Sequence, residues 1–164
     1  MRSFITLLIT LTSFMVATAN AALVETSPIK VCSFLKEVGL ATRGWKNLYE
    51  NQFSCSSRYK EIGTGFPMAN NLAYYVEGES SLATQAKLVL NINNKSETSS
   101  AYSELINSSE VLSKKITGEK LPSSISTAIK SGKPIQAKLG KSTIEITRDN
   151  WPTGKGYELH VLFK

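Results

Sequence analysis

The 164-residue sequence contains few of the side chains that enzymes most often use as nucleophiles, bases or metal ligands: one histidine and two cysteines. A serine or cysteine hydrolase needs a histidine beside its nucleophile, and the sequence has no G-x-S-x-G motif. A zinc site made of cysteine and histidine needs four ligands, one more than the sequence holds. We therefore predict no metal site, no cofactor and no enzyme of these classes.

The sequence also lacks the motifs of nucleotide and nucleic-acid binding. Gly140-Lys141-Ser142 resembles the end of a phosphate-binding loop, but the first glycine of that motif would stand where Ile135 is. The formal net charge is +6, yet Lys114-Lys115 is the only adjacent pair of basic residues. Because nucleic-acid binding favours clustered basic side chains, we predict no nucleic-acid partner.

Long apolar runs are absent after the first 16 residues. Residues 4–16 are apolar apart from hydroxyl side chains, and this stretch is too short to span a bilayer. Two A-x-A frames follow it, at residues 17–19 and 19–21, as signal peptidase requires. We predict a leader over residues 1–21, cleaved after Ala21, and a soluble periplasmic or secreted domain over residues 22–164; an uncleaved anchor is the alternative.

The two cysteines, Cys32 and Cys55, both lie in the predicted mature domain. An oxidising compartment favours a disulfide between them. The bridge would close a loop of 24 residues and stabilise the fold by about 3.4 kcal/mol through the unfolded state. Two free thiols are the alternative.

The pattern of apolar residues predicts two segments of similar order, each with helices before strands. In the first, Ser27-Pro28 begins a helix that ends at Gly39, and Trp45, Leu48 and Tyr49 share one side of a short helical turn. Three strands should follow: residues 53–62, 72–77 and 84–93.

The second segment begins with a helix whose apolar stripe runs from Tyr102 to Ile116, and a shorter helix follows Pro122 and ends at Gly132. Alternating residues predict further strands over 134–139, 143–147 and 157–163, the first two joined by a Gly140-Lys141 turn. The sequence thus predicts one α+β domain, an antiparallel sheet with helices packed on one face. The repeated order has two alternative explanations, a duplication into two similar halves, 27–93 and 101–164, or a coincidental similarity.

Large aromatic residues beside basic ones are typical of protein-binding sites. Trp151 lies in a loop between Arg148 and Lys155, and Tyr74-Tyr75 form a second aromatic pair. We predict these five residues as binding residues. The alternative for Trp151 is that its ring folds back onto the core.

Two other polar features lie on predicted strands. Glu77 and Glu79 share a face, and paired carboxylates can hydrolyse glycosidic bonds. His160 and Glu158 share the more polar face of the last strand, where a solvated side chain or a partner contact is expected.

Together these features favour an exported, non-enzymatic binding protein of the cell envelope or secretome, whose partner is another envelope or secreted protein. One alternative is a small hydrolase of an envelope polymer with Glu77 and Glu79 as its acid and base. The other is an inhibitor or immunity protein that blocks a secreted enzyme with a loop.

Overall fold

A computed structural model describes residues 22–66 and 68–164. The predicted leader, residues 1–21, lies outside the described residues. The described chain forms eight strands and three α-helices, in the following order: α1 (Pro28–Ser33), β1 (Lys46–Tyr49), β2 (Gln52–Ser56), β3 (Lys60–Ile62), β4 (Asn70–Glu79), β5 (Leu82–Ile92), α2 (Thr98–Thr117), α3 (Ser123–Ser131), β6 (Ile135–Leu139), β7 (Ser142–Asn150) and β8 (Tyr157–Phe163). Two short 3₁₀ helices, Lys36–Val38 and Lys95–Glu97, precede β1 and α2.

All eight strands belong to one antiparallel sheet, which confirms the predicted α+β class. The strand order is β1-β2-β4-β5-β8-β7-β6, and β3 pairs with β4 beyond the end of β2. In each half of the chain the first strand lies at an edge of the sheet and the last strand lies at the centre, where β5 pairs with β8. The halves differ in strand number, because the first contributes five strands and the second three.

The core lies between one face of the sheet and the three helices. Strict alternation along β5 and β8 fills it: every second residue is an apolar side chain that is at most 5% exposed, namely Ala86, Leu88, Leu90, Ile92, Tyr157, Leu159, Val161 and Phe163. The predicted stripe of α2 faces this layer, with Leu105 and Leu112 fully buried. Two predicted patterns are therefore confirmed, the apolar stripe of α2 and the alternation of buried residues along the strands.

Cys32 of α1 and Cys55 of β2 form the predicted disulfide. Both residues are buried, so the bridge lies inside the core layer. It ties the first helix to a strand near the edge of the sheet, where fewer neighbouring strands contribute hydrogen bonds.

Three details of the first half differ from the prediction. The helix predicted to run to Gly39 is α1, which ends at Ser33, followed by the separate 3₁₀ helix Lys36–Val38. The segment around Leu48 is the edge strand β1, not a helical turn, because it pairs with β2. The predicted strand 53–62 is interrupted at Ser57: its hydroxyl accepts a hydrogen bond from the backbone N–H of Tyr74 at 2.9 Å, where a backbone carbonyl would continue the ladder. The interruption leaves β2 and β3 as two short strands along the same side of β4.

No helix among residues 22–66 and 68–164 is long and apolar enough to cross a bilayer.

The hydroxyl of Ser108 on α2 is buried and, among the described residues, has no hydrogen-bond partner. Because an unpaired buried hydroxyl costs free energy, we expect Ser108→Ala to raise the free energy of unfolding by about 1 kcal/mol. Ser109→Ala is the matched control, since the Ser109 hydroxyl donates to the Leu105 carbonyl at 2.7 Å. Urea unfolding of both variants measures the difference, and a loss of stability in Ser108→Ala would contradict the prediction.

Candidate binding face of the sheet

The helices cover one face of the sheet and leave the opposite face open. This open face carries the other set of alternating side chains from the central strands. Its central residues are half-buried, mainly by one another: Tyr75, Glu77, Lys87, Asn91, Glu145, Thr147, Glu158, His160 and Leu162. We call these residues, with Ala73 and Val89 between them, the open face.

The centre of the open face is apolar. Ala73 of β4 lies opposite Val89 of β5, and Val89 lies opposite His160 of β8. Ala73 is 1% exposed and Val89 is 9% exposed, although none of the three described α-helices covers them. These two apolar side chains are therefore buried beneath the face, and the surface offered to a partner consists of the half-buried aromatic and charged side chains around them.

An aromatic and charged group borders this centre on β4 and β5. The Lys87 ammonium lies 5.6 Å from the centre of the Tyr75 ring and 3.7 Å from the Glu77 carboxylate. Burial, strengthened by a hydrogen bond with Tyr59, raises the pKa of the Tyr75 hydroxyl to about 12. The hydroxyl therefore stays protonated at neutral pH and offers a partner both a donor and an acceptor.

A histidine and two carboxylates border the centre on β7 and β8. Asp149 and Glu158 are direct cross-strand neighbours. His160 Nε2 lies 2.8 Å from a Glu158 oxygen and 4.0 Å from an Asp149 oxygen. One nitrogen and two oxygen donors thus lie within 4.8 Å of one another, which is a set that could hold a metal ion.

The structure separates the two predicted binding tyrosines. Tyr75 lies on the open face, while Tyr74 points into the core and is 0% exposed. The Tyr74 hydroxyl donates to the Val31 carbonyl of α1 at 2.8 Å, and burial raises its pKa. Tyr74 is therefore a core residue with no exposed atom for a partner, which corrects its place among the predicted binding residues.

The loop after β7 holds the other three predicted residues, but it does not join them to Tyr75. The Arg148 guanidinium stacks on the Tyr157 ring, 3.7 Å from its centre, on the helix-covered side of the sheet. Trp151 is half-buried and Lys155 is exposed. The structure thus spreads the five residues over the core, the open face and one loop, and binding by Arg148, Trp151 and Lys155 stays a prediction.

The Trp151 ring packs against Gly156, where a Cβ atom would come within 2.4 Å of the ring. Because the ring is only half-buried, we expect Trp151→Ala to lower the free energy of unfolding by about 2 kcal/mol, less than for a fully buried ring. Lys155→Ala in the same loop is the control and should change stability by less than about 0.5 kcal/mol. Equal unfolding midpoints for the two variants would contradict a packing role for Trp151.

Glu77 and Glu79 line one shallow cleft at the end of β4, together with Glu50 from the β1–β2 turn. The cleft has a volume of about 530 Å³. The Glu77 carboxylate accepts a hydrogen bond from the Gln85 side chain and faces Lys87, while Glu79 is exposed. The predicted carboxylate pair therefore opens onto a common cleft.

Comparison with other proteins does not add to this description. No protein-family model, curated protein or solved structure matches the chain.

Sequence reasoning placed Glu158 and His160 on one face but missed Asp149 and Lys87. Asp149 could have been found from its position near the end of the strand before β8. A short loop that joins two antiparallel strands brings residues at the ends of both strands together. Lys87 lies on the predicted strand 84–93, and its side chain belongs to the alternating set that faces away from the core.

Proposed function

We propose that this protein is an exported, non-enzymatic binding protein that contacts a partner protein through the open face. The observation that carries the proposal is the set of half-buried aromatic and charged side chains, Tyr75 and Lys87 among them, on a face that no helix of residues 22–66 and 68–164 covers. Rigid strands hold these side chains, so binding would cost little ordering of the chain.

The proposed location is the periplasm or the extracellular medium. The predicted leader suits export, and the Cys32–Cys55 disulfide is the kind of bond that persists in oxidising compartments. The proposed partner is another protein of the same compartment.

The test is capture of a partner from an envelope extract by immobilised, disulfide-bonded protein. The variant Tyr75→Ala/Lys87→Glu removes an aromatic side chain and reverses one charge on the open face. If both residues contact the partner, we expect the captured amount to fall at least about tenfold at a protein concentration near the Kd, since aromatic and charged interface residues each commonly contribute 1–2 kcal/mol, on the order of a tenfold change in affinity.

The matched control is Tyr49→Ala/Lys130→Glu. It makes the same two chemical changes at exposed positions on the edge strand β1 and on the outer side of α3. Capture should be retained by this control. The proposal is contradicted if the Tyr75→Ala/Lys87→Glu variant still captures the partner and the control variant does not, because the contact then lies outside the open face.

The hydrolase remains a second candidate because Glu77 and Glu79 line one cleft. If they are only surface residues, Glu77→Gln/Glu79→Gln should leave the free energy of unfolding within about 0.5 kcal/mol and any cellular phenotype intact. Chemical denaturation and complementation of a deletion strain measure the two quantities. Because Glu77 also belongs to the open face, loss of the phenotype with unchanged stability favours the hydrolase over the binding protein only if Glu79→Gln alone reproduces it.

A further inference from the structure

Asp149, Glu158 and His160 form a mixed cluster of donors at the β7–β8 side of the open face. Two rigid neighbouring strands position the cluster: Asp149 lies opposite Glu158 in the ladder, and His160 follows two residues later on the same face of β8. The three side chains therefore converge through the sheet register and not through a flexible loop.

The negative charges of Asp149 and Glu158 favour the binding of a cation at this cluster. Carboxylates directly opposite one another on neighbouring strands repel and destabilise the pair. Among the described residues, His160 is the only basic side chain within 4.0 Å of either Asp149 or Glu158. The two cross-strand neighbours on the same row, Asn71 and Asn91, are neutral and hydrogen-bond to each other. The described chain thus places one basic side chain beside two carboxylates.

The donor types and spacing indicate which cation fits. Imidazole nitrogen with carboxylate oxygen suits Zn²⁺ and related transition ions, whereas Mg²⁺ and Ca²⁺ prefer oxygen ligands alone. Ligands about 2.1 Å from a tetrahedral Zn²⁺ lie about 3.4 Å apart. The His160–Glu158 separation of 2.8 Å, a hydrogen bond that the ion would replace, and the His160–Asp149 separation of 4.0 Å bracket this value. The Asp149 side chain is 69% exposed, so it is free to rotate toward the ion.

We propose that Asp149, Glu158 and His160 bind one Zn²⁺-class divalent ion on the open face. Three protein ligands leave a coordination position for water or for an external donor. The prediction of no metal site counted only cysteine and histidine as ligands and so did not consider this set. The proposal is independent of the proposed partner protein, because it concerns this chain alone.

The test is calorimetric titration of tag-free, chelator-stripped, disulfide-bonded protein with ZnCl₂. We expect saturable binding of one equivalent, and a decrease in affinity of at least about tenfold for Glu158→Gln and for His160→Gln, since even outer-shell changes cost tenfold or more. The exposed Asp149→Asn variant should also bind more weakly. It provides a variant with little risk of misfolding.

Glu145→Gln is the matched control, because Glu145 is a carboxylate on the same strand and face that pairs with Lys164 at 3.0 Å. Its Zn²⁺ affinity should equal that of the unmodified protein. Since His160 is the only histidine, imidazole ¹⁵N signals in NMR report this site alone, and Zn²⁺ should shift them. The proposal is overturned by any one of three results: no saturable Zn²⁺ binding, equal binding by all three site variants, or displacement of Zn²⁺ by an equal concentration of Mg²⁺.

Discussion

Tyr74→Ala is expected to lower the free energy of unfolding by about 4 kcal/mol, whereas Tyr75→Ala should lower it by less than about 1 kcal/mol. Tyr74 is fully buried, so truncation leaves a cavity and removes the partner of the Val31 carbonyl. Tyr75 is half-buried on the open face, where the main loss is its contact with Lys87. Urea unfolding followed by circular dichroism measures both.

Tyr74→Phe separates the two contributions at the buried position. It keeps the ring and removes only the hydroxyl that donates to Val31, so about 1 kcal/mol should be lost. The pair Tyr74 and Tyr75 is matched in residue type, strand and sequence position. Similar losses of stability in the two alanine variants would mean that β4 does not place Tyr74 in the core and Tyr75 on the open face.

Breaking the disulfide is expected to lower the free energy of unfolding by about 2–4 kcal/mol. Cys55→Ser removes the link between α1 and β2, and a loop of 24 residues corresponds to about 3.4 kcal/mol of restriction in the unfolded state. Denaturant unfolding of Cys55→Ser and of oxidised and reduced unmodified protein measures the effect.

Reduction of the unmodified protein should cost about as much stability as the Cys55→Ser substitution. The unfolded, unreduced protein should contain no free thiol, because Cys32 and Cys55 are its only cysteines and they are bonded to each other. Labelling of two thiols in that sample would contradict the predicted oxidation state.

The sequence was sufficient for the elements in which local pattern and tertiary environment agree. In β8, and in β5 from Ala86 onward, every second residue is apolar and buried against the helices, and Gly132 ends α3 with a positive φ angle, as predicted. In such elements the apolar residues recur every two residues in a strand or every 3.6 residues in a helix, because these are the positions that are buried. Their existence, and the α+β class, therefore follow from the pattern alone.

The first half was harder to predict because its edge elements bury little. All four residues of β1 are exposed, so the apolar Leu48 and Tyr49 carry no information about a core. Their spacing suits a helical turn, but pairing with β2 determines the conformation. The break at Ser57 depends on one side chain that replaces a backbone acceptor, which no periodicity reveals.

The candidate site was predicted only in part. Alternation from Leu72 to Val76 would have placed Tyr74 inside and Tyr75 outside, but treating the two aromatics as one pair obscured that difference. The cluster at His160 needed the register between β7 and β8, which is a property of strand pairing. Single-strand patterns assign faces, whereas a site shared by two strands requires knowing which residues lie opposite each other.

The position of β8 has a consequence for the order of folding events. Among the described strands, β8 alone joins the strands of the first half to β6 and β7, with Ala86 of β5 pairing to Phe163. Until residues 157–163 have been synthesised, the described strands form two separate parts, and β5 is left as an open edge. Such distant pairing slows folding. The complete sheet can therefore form only after β8 is available to join the two parts.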